Sequence, residues 1–311
     1  MNKFGMCFSR DFEGTSPLSH IGKKLPVYLR LLEFCQKKGW EIYILTRKTY
    51  TGGNNFSGAW LFQNGKFKRI EKDIKIDLVF DWVGNLLFPP KQDKGLKVVN
   101  IREFKELTCD KWKAYRVLRD YMPRTIWVGA LENAGKNLSR IKSDKIVLKP
   151  HDGLRGKGIF IGSRRDLKNF KPEKRGQKYI LQEFVETSNG IPGLTSGRHD
   201  LRIVIVNGEV VWCHVRNPVP GAYLANVAQG GNITEVDYSE VPASVKRIVK
   251  SISRKFYIDY DNPIFSLDFG LGPIGQPLIF EINDQIGFPR WEMKNRDTFL
   301  NALVKNFSSK M

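Results

Sequence analysis

The chain has little cysteine and little histidine, and neither is placed for metal chemistry. Cys7, Cys35, Cys109 and Cys213 are scattered, form no C-x-x-C pair and sit mostly among apolar neighbours, a pattern of reduced, buried thiols. His20, His151, His199 and His214 also lack ligand spacing, so zinc chemistry is not expected. No stretch approaches the roughly 18 consecutive apolar residues of a membrane span. The opening Met1-Asn2-Lys3-Phe4-Gly5-Met6 runs into a strand-like segment rather than a signal-peptide core, and a soluble, cytoplasmic protein is the expectation. No internal repeat and no low-complexity linker appears. No Gly-Lys-Ser/Thr opens a helix, which removes a Walker A loop, and there is no Ser-His-Asp or Cys-His nucleophile signature.

Acidic residues are also in deficit: 32 Asp and Glu face 51 Lys and Arg, a net charge of +19 spread along the chain without a polybasic tail. Such a field favours an anionic partner and speeds its encounter without naming it. Nucleic acid, ATP and an acidic peptide all fit, as does a generally basic solvated surface. The 311 residues, 41% hydrophobic and 12% aromatic, suit an ordinary globular chain of about two domains.

The first hundred residues alternate as a small α/β unit. Residues 4–8 read as a strand; Leu25, Tyr28, Leu29, Leu32 and Cys35 recur at helical spacing up to Gly39; residues 40–46 read as a second strand. Residues 60–62, Asn64-Gly65 and 66–70 predict a hairpin, because Asn-Gly supplies positive φ at both turn positions. Further strands are expected over 77–82 and 96–101, giving a parallel sheet with helices on its faces. A second unit starts near Arg102. It predicts a helix over 110–121 capped by Thr108 or Asp110 and stopped by Pro123, a strand over 124–128, a helix over 131–141 and a strand over 146–149. Strands over 158–161 and 179–184 follow, then a hairpin of 201–206 and 209–215 around Asn207-Gly208. A helix with Val245, Ile248, Val249, Ile252 and Phe256 on one face precedes strands around 265–269 and 278–283, and residues 292–307 predict a closing helix.

Polar residues at the strand ends carry the chemistry. Asp268 on one strand, and Glu281 and Asn283 on the next, offer hard oxygen donors of the kind Mg²⁺ takes when phosphates and water complete its shell. The loop His151-Asp152-Gly153-Leu154-Arg155-Gly156-Lys157-Gly158 follows an apolar strand directly. Its glycines let backbone N–H groups turn toward an anion, although a plain turn between strands has the same composition. Lys149 ends that apolar strand, an expensive place for a cation unless it meets a buried anion or snorkels out. Gln182-Glu183-Phe184-Val185 could present backbone groups to a purine or could be core strand. Arg202 shares a strand face with Val204 and Val206, where an arginine wants a carboxylate or a phosphate. Arg216 and the run Asn226-Val227-Ala228-Gln229-Gly230-Gly231 follow across the hairpin.

In this order, over roughly residues 100–290, these motifs resemble the ATP-grasp superfamily. The C-terminal half looks most like prokaryotic glutathione synthetase and the RimK-like ribosomal-protein glutamate ligases: Asp-x-Arg, Asn-Gly-Glu-Val-Val, a strand ending in Arg, Asn-x-x-x-Gly-Gly, Asp, then Glu-x-Asn. The spore-coat-associated YheC/YheD group is a weaker likeness. The resemblance implies an α/β fold, α+β in its C-terminal part, with an N-terminal Rossmann-like domain over 1–101, a small lid subdomain over 102–181 and a C-terminal subdomain over 182–311.

By the same resemblance Lys111, with Lys113 as the alternative, and Lys149 contact ATP; Gly153, Gly156, Lys157 and Gly158 cover its phosphates; the backbone of Glu183 and Val185 meets adenine; Glu186 contacts ribose. Asp268, Glu281 and Asn283 match the Mg²⁺ ligands, with Mn²⁺ as an alternative ion. Arg202, Arg216 and Asn226 match catalytic residues near the γ-phosphate. The implied reaction is ATP-dependent joining of a carboxylate and an amine through an acyl phosphate. A small-molecule kinase and a non-catalytic nucleotide-binding assembly protein are the alternatives. An amino acid or acidic peptide is favoured as substrate, and nucleic acid ranks last. The chain departs from its relatives after Glu-x-Asn, where Asp284-Gln285-Ile286-Gly287-Phe288-Pro289-Arg290-Trp291 replaces a small residue, Pro and Gly, so neither relative's substrate can be inherited.

Overall fold

Apolar runs of period two near the N-terminus become strands, and a helix between them brings them side by side in parallel. In the computed structural model, which describes residues 1–11, 16–82, 95–153, 156–225 and 230–311, strand β1 (Lys3–Phe8) leads through helix α1 (Leu25–Gln36) to β2 (Glu41–Thr46). The helix buries Val27, Tyr28, Leu31, Leu32 and Cys35, a face rotated slightly from the expected one, with Leu25 and Leu29 at its margin. The chain continues through β3 (Tyr50–Gly52), β4 (Asn55–Phe56), β5 (Ala59–Gln63), β6 (Lys66–Ile70), β7 (Ile74–Lys75) and β8 (Leu78–Trp82). β2, β1 and β8 are parallel, while the β5–β6 hairpin adds antiparallel strands at one edge, in the order β6-β5-β2-β1-β8. β3, β4 and β7 form a separate small sheet.

The strand expected over 96–101 is reduced to one bridge, Val79 with Val98. Asn100 explains the departure. Its side-chain amide donates to the Ile264 carbonyl and accepts from the Ile264 N–H, both at 2.8 Å, so the chain leaves the sheet to pair with the C-terminal part. A helix absent from the sequence reading follows, α2 (Arg102–Cys109), and α3 (Lys111–Leu118) begins one residue later. Asp110 ends one and caps the other: its carboxylate accepts from the Trp112 and Lys113 N–H groups. The helix expected over 131–141 is broken into α4 (Ala134–Asn137) between 3-10 turns, as Asn133, Gly135 and Asn137 would favour.

β9 (Thr125–Gly129), β10 (Lys145–Pro150), β11 (Phe160–Ser163) and β12 (Tyr179–Glu183) form an antiparallel sheet in the order β11-β10-β12-β9. The last third supplies β13 (Asp200–Val206), β14 (Glu209–Asn217), β15 (Asn232–Val236), α5 (Ala243–Asp259), β16 (Phe265–Leu271), β17 (Pro277–Asn283) and α6 (Arg296–Lys310). Its antiparallel sheet runs β15-β14-β13-β16-β17, and the unanticipated β15 is a partly exposed edge strand. At both Asn-Gly turns the expected positive φ is present: 52° and 74° at Asn64 and Gly65, 54° and 79° at Asn207 and Gly208.

The C-terminal sheet is buried on both faces. Leu201, Ile203 and Ile205 join Phe265, Leu267, Phe269 and the apolar side of α5 in one core. Val204, Val206 and Trp212, on the other face, join α6 and the N-terminal strands in another, where Phe307 stacks on Phe4 at 4.7 Å. The same face carries Arg202 farther along β13, so apolar packing against the N-terminal unit gives way to a polar site on one continuous surface. Cys7, Cys35 and Cys213 are buried free thiols and Cys109 is a partly buried one. No helix among the described residues is long and apolar enough to cross a membrane.

Candidate active site

A cleft of about 870 Å³ lies between the β9–β12 sheet and the polar face of the C-terminal sheet, with Tyr28 and Trp82 of the N-terminal unit contributing to its wall. Strand register sets the chemistry of its floor. Arg202 is directly opposite Asp268, Asp200 opposite Arg216, and Asp268 opposite Glu281. Between β16 and β17 the register shifts after Asp268, so Phe269 faces Ile279 and one extra residue, Phe280, enters β17. Ile279 and Ile282 therefore both reach the core, while Phe280 and Glu281 both line the cleft.

Asp268 is the centre of this floor. Arg202 grips it with a fork, Nε to Oδ1 and Nη2 to Oδ2, both at 2.6 Å. Arg216 donates to Asp268 Oδ2 at 2.9 Å and also to Asp200, and Asn283 Nδ2 donates to Asp268 at 3.1 Å. Burial pushes the Asp268 carboxyl up, but Arg202 and Arg216 outweigh it and hold it well below the usual carboxylate range. Asp200 goes the other way: burial, with Asp268 adding to it against Arg216, raises it to about 6. Burial opposes the Arg216 charge, but Asp200 and Asp268 outweigh it and hold its guanidinium firmly charged.

Cations face this floor from the other side. Lys149, near the end of β10, donates to Gln182 Oε1 at 2.9 Å and to the Phe280 carbonyl at 3.3 Å. Gln182 is held in turn by the Thr125 hydroxyl at 2.8 Å. Burial lowers the Lys149 ammonium to about 8, Glu281 opposing and Lys111 reinforcing. Lys111, at the first position of α3, pairs with Glu281 at 2.9 Å and donates to the Gly153 carbonyl. Burial raises the Glu281 carboxyl, but Lys111 and Lys149 overcome it and its net shift is downward. Lys113, the alternative to Lys111, points away to Glu106 at 3.1 Å.

Gly153, Gly156 and Lys157 line the cleft beside Lys149, whereas Gly158 lies off the lining with its N–H given to Glu173 at 2.9 Å. Glu183 and Val185 line it as well; the Glu183 N–H is spent on the Arg124 carbonyl. Glu186 is not on the lining, and its carboxylate is gripped by Arg198 at 3.1 and 3.3 Å. Asn226 lies outside the described residues. Sequence reasoning missed Gln182 as the partner of Lys149, Asp200 as the partner of Arg216, and Lys24, Tyr28 and Trp82 of the cleft wall, whereas Phe288 lies in the divergent loop 284–291 expected to help shape the acceptor pocket. Among the missed residues only Asp200 carried a signal, as the first residue of the Asp-x-Arg motif.

The donor chemistry around Asp268 suits Mg²⁺ rather than a softer ion. Two carboxylates and an amide sit on adjacent strand ends, and among the described residues no group of His, Cys, Asp or Glu could hold a metal unaided. Mg²⁺ is the ion that completes its shell from phosphate and water, and Mn²⁺ accepts the same oxygens.

The site is thus a strand floor of paired arginines and carboxylates in the C-terminal sheet, faced across the cleft by Lys149 of a small antiparallel sheet and Lys111 of α3. Residues 108–286 match the ATP-grasp domain, and the chain belongs to that family. It is 25% identical to a glutathione synthetase of Yersinia pestis over 77% of its own length and 80% of that protein. It is 21% identical to a probable alpha-L-glutamate ligase of Maridesulfovibrio salexigens over 66% of this chain and 68% of the other. A RimK domain ATP-grasp protein from Sphaerobacter thermophilus shares the fold, with a TM-score of 0.62 at 12% identity over 98% of both chains.

Proposed function

We propose that the protein is an ADP-forming carbon–nitrogen ligase that joins a carboxylate to an amine through an acyl phosphate, with ATP and Mg²⁺. The observation that carries this reading is the opposition, across one cleft, of Lys111 and Lys149 to the Arg202–Arg216–Asp268 cluster. Phosphoryl transfer asks for positioning and charge neutralisation more than for a covalent nucleophile. Lys111 and Lys149 would take the phosphates of ATP, and the backbone of residues 183–185 would take adenine. Gly153, Gly156 and Lys157 would cover the phosphates as part of a lid subdomain of residues 102–181, beside units 1–101 and 182–311.

Asp268, Glu281 and Asn283 would hold Mg²⁺, which supplies neutralisation of the phosphate oxygens. The substrate carboxylate attacks the γ-phosphorus and ADP leaves. An amine then attacks the acyl carbon, the C–O bond to phosphate breaks with its electron pair, and the amine's proton passes to the departing phosphate or to water. Arg216 would neutralise charge building on the acyl phosphate, with Arg202 and Asn226 beside the γ-phosphate. The setting is proposed as cytoplasmic, and the +19 charge steers anionic substrates, acidic peptides included, toward the cleft.

The test is ADP and phosphate release from ATP and Mg²⁺ across a panel of amino acids and short peptides, with product mass. ADP formed in step with an amide supports ligation. A phosphate ester of a hydroxyl group, formed without any amine, would replace it with kinase chemistry, and absence of ADP release across the panel would count against catalysis altogether.

A further inference from the structure

Lys24, Tyr28, Trp82 and Phe288 meet at the end of the cleft built by the N-terminal unit, and none of them has a part in the nucleotide site. Tyr28 stacks on Phe288 with centroids 4.2 Å apart, and Trp82 sets its edge against both, 5.2 Å from Phe288 and 6.3 Å from Tyr28. Gly287, at φ 73°, makes the turn that presents this part of the loop, a backbone conformation that side-chain-bearing residues rarely adopt. Gln285 fixes the loop from behind, donating to the Asp81 carbonyl at 3.3 Å and to Asp284 at 3.2 Å. The result is an aromatic wall tied to the end of β8.

Lys24 stands beside that wall and donates to the Phe288 carbonyl at 2.7 Å. The nearest charges acting on it are Arg290 and Arg202, both of its own sign, and among the described residues it forms no ion pair with a carboxylate. Burial first, then those two arginines, lower its ammonium to about 8. A half-buried lysine with like-charged neighbours and a single carbonyl acceptor is a site short of an anion. The reaction centre supplies none, because Asp268 and Asp200 are already engaged by Arg202 and Arg216.

Resting on the ligase reading above, we propose that this end of the cleft is the acceptor subsite for an apolar or aromatic α-amino acid. Its α-carboxylate pairs with Lys24, its side chain lies against Trp82 with Tyr28 and Phe288 behind, and its α-amine points toward Arg202. One tetrahedral carbon separates that amine from the carboxylate, and Lys24 and Arg202 line the same cleft. The C–N bond forms between the α-nitrogen and the acyl carbon as phosphate leaves, so the product carries the apolar residue at its carboxyl end.

The test measures binding without turnover. The whole protein, loaded with Mg²⁺ and the β,γ-imido analogue of ATP, is titrated calorimetrically with L-phenylalanine, L-leucine, L-alanine, L-glutamate and L-phenylalaninamide. Phenylalanine and leucine are expected to bind about tenfold or more tighter than the amide, the worth of one charge-assisted pair, and tighter than glutamate. Lys24→Gln is expected to erase the preference for the free acid over the amide, and Lys24→Arg to restore it. Trp82→Ala should narrow the gap between phenylalanine and alanine. Thermal unfolding of each variant checks that it is folded. Equal binding of phenylalanine and its amide to the unaltered protein, a preference that survives Lys24→Gln, or a preference for glutamate would overturn the subsite. Binding as expected with no ADP release leaves the subsite standing and removes the ligase reading. ADP release with acceptors that Lys24→Gln does not reorder removes the subsite alone.

Discussion

Arg216 is held between two carboxylates, one of which, Asp268, also belongs to the strand-end donors proposed for Mg²⁺. Its placement fits a charge that acts on the transition state more than on the bound nucleotide. Arg216→Ala is therefore expected to lower kcat about 10²- to 10³-fold while changing ATP affinity only a few-fold. Equal losses in both, read by steady-state kinetics and nucleotide titration, would move Arg216 into ground-state binding. Lys149 makes a pH prediction. Its ammonium titrates at about 8 in the nucleotide-free fold against an ordinary 10.5, so the unfolded chain binds more protons between those values. Stability should rise with pH across that window, and Lys149→Met should flatten part of the rise, since Lys24 shares it. Phosphate demands the charged form, so ATP affinity should fall above pH 8 by up to about tenfold per unit, with proton uptake in calorimetry. An affinity unchanged through that range would remove Lys149 from the phosphate contacts. A cation ending an apolar strand made Lys149 legible in the sequence. Gln182 and Thr125, which aim it, were not, because their meaning is a hydrogen-bond chain across β9, β12 and β10.

At the level of elements, local signals were legible and irregular ones were not. Both Asn-Gly hairpins and the Asp110 cap depend on a few adjacent residues, and they appear where the sequence puts them. Asp110→Ala should cost about 1 kcal/mol in denaturant unfolding by leaving the first N–H groups of α3 without their acceptor. The register shift in β17 could not be foreseen, because strict alternation would place Ile279, Glu281 and Asn283 on one face. The shift takes Ile279 into the core and lays the Phe280 ring over Gly270, where a Cβ would come within 2.0 Å of Phe280 Cζ. Gly270→Ala should therefore push the ring into the cleft, raising the Kd for ATP several-fold at a stability cost of about 1–3 kcal/mol. An alanine variant with unaltered ATP affinity would show that the ring is free to move aside. β15 and the turn between α2 and α3 escaped notice for a related reason: a partly exposed edge strand and an abrupt helix restart carry little periodicity.

The whole molecule is tied together by contacts between distant parts of the chain. Lys105 of α2 reaches Asp81 at the end of β8 at 2.5 Å and Asp284, just past β17, at 2.9 Å, and all three side chains are buried. Burial opposes the Lys105 charge, but Asp284 and Asp81 raise its ammonium above the ordinary value. Lys105→Met leaves two buried carboxylates uncompensated, and about 3–5 kcal/mol of stability should be lost. A urea midpoint close to that of the unaltered protein would mean that the acids find water or another cation. The cluster adjoins Asn283 in sequence, so it also fixes the loop that carries the acceptor wall.

Residue type, local turn chemistry and the order of motifs along the chain settled the family and the main cleft-lining lysines, arginines and carboxylates of this protein. These are short-range properties, carried by neighbouring residues and by strand ends that announce themselves as polar. Which carboxylate each arginine grips, the turning of Glu186 toward Arg198, and the meeting of Lys24 with Phe288 were decided only by the tertiary structure. Charged side chains buried in a fold take their partners from whatever the packing brings within reach, and that reach spans 264 residues between Lys24 and Phe288.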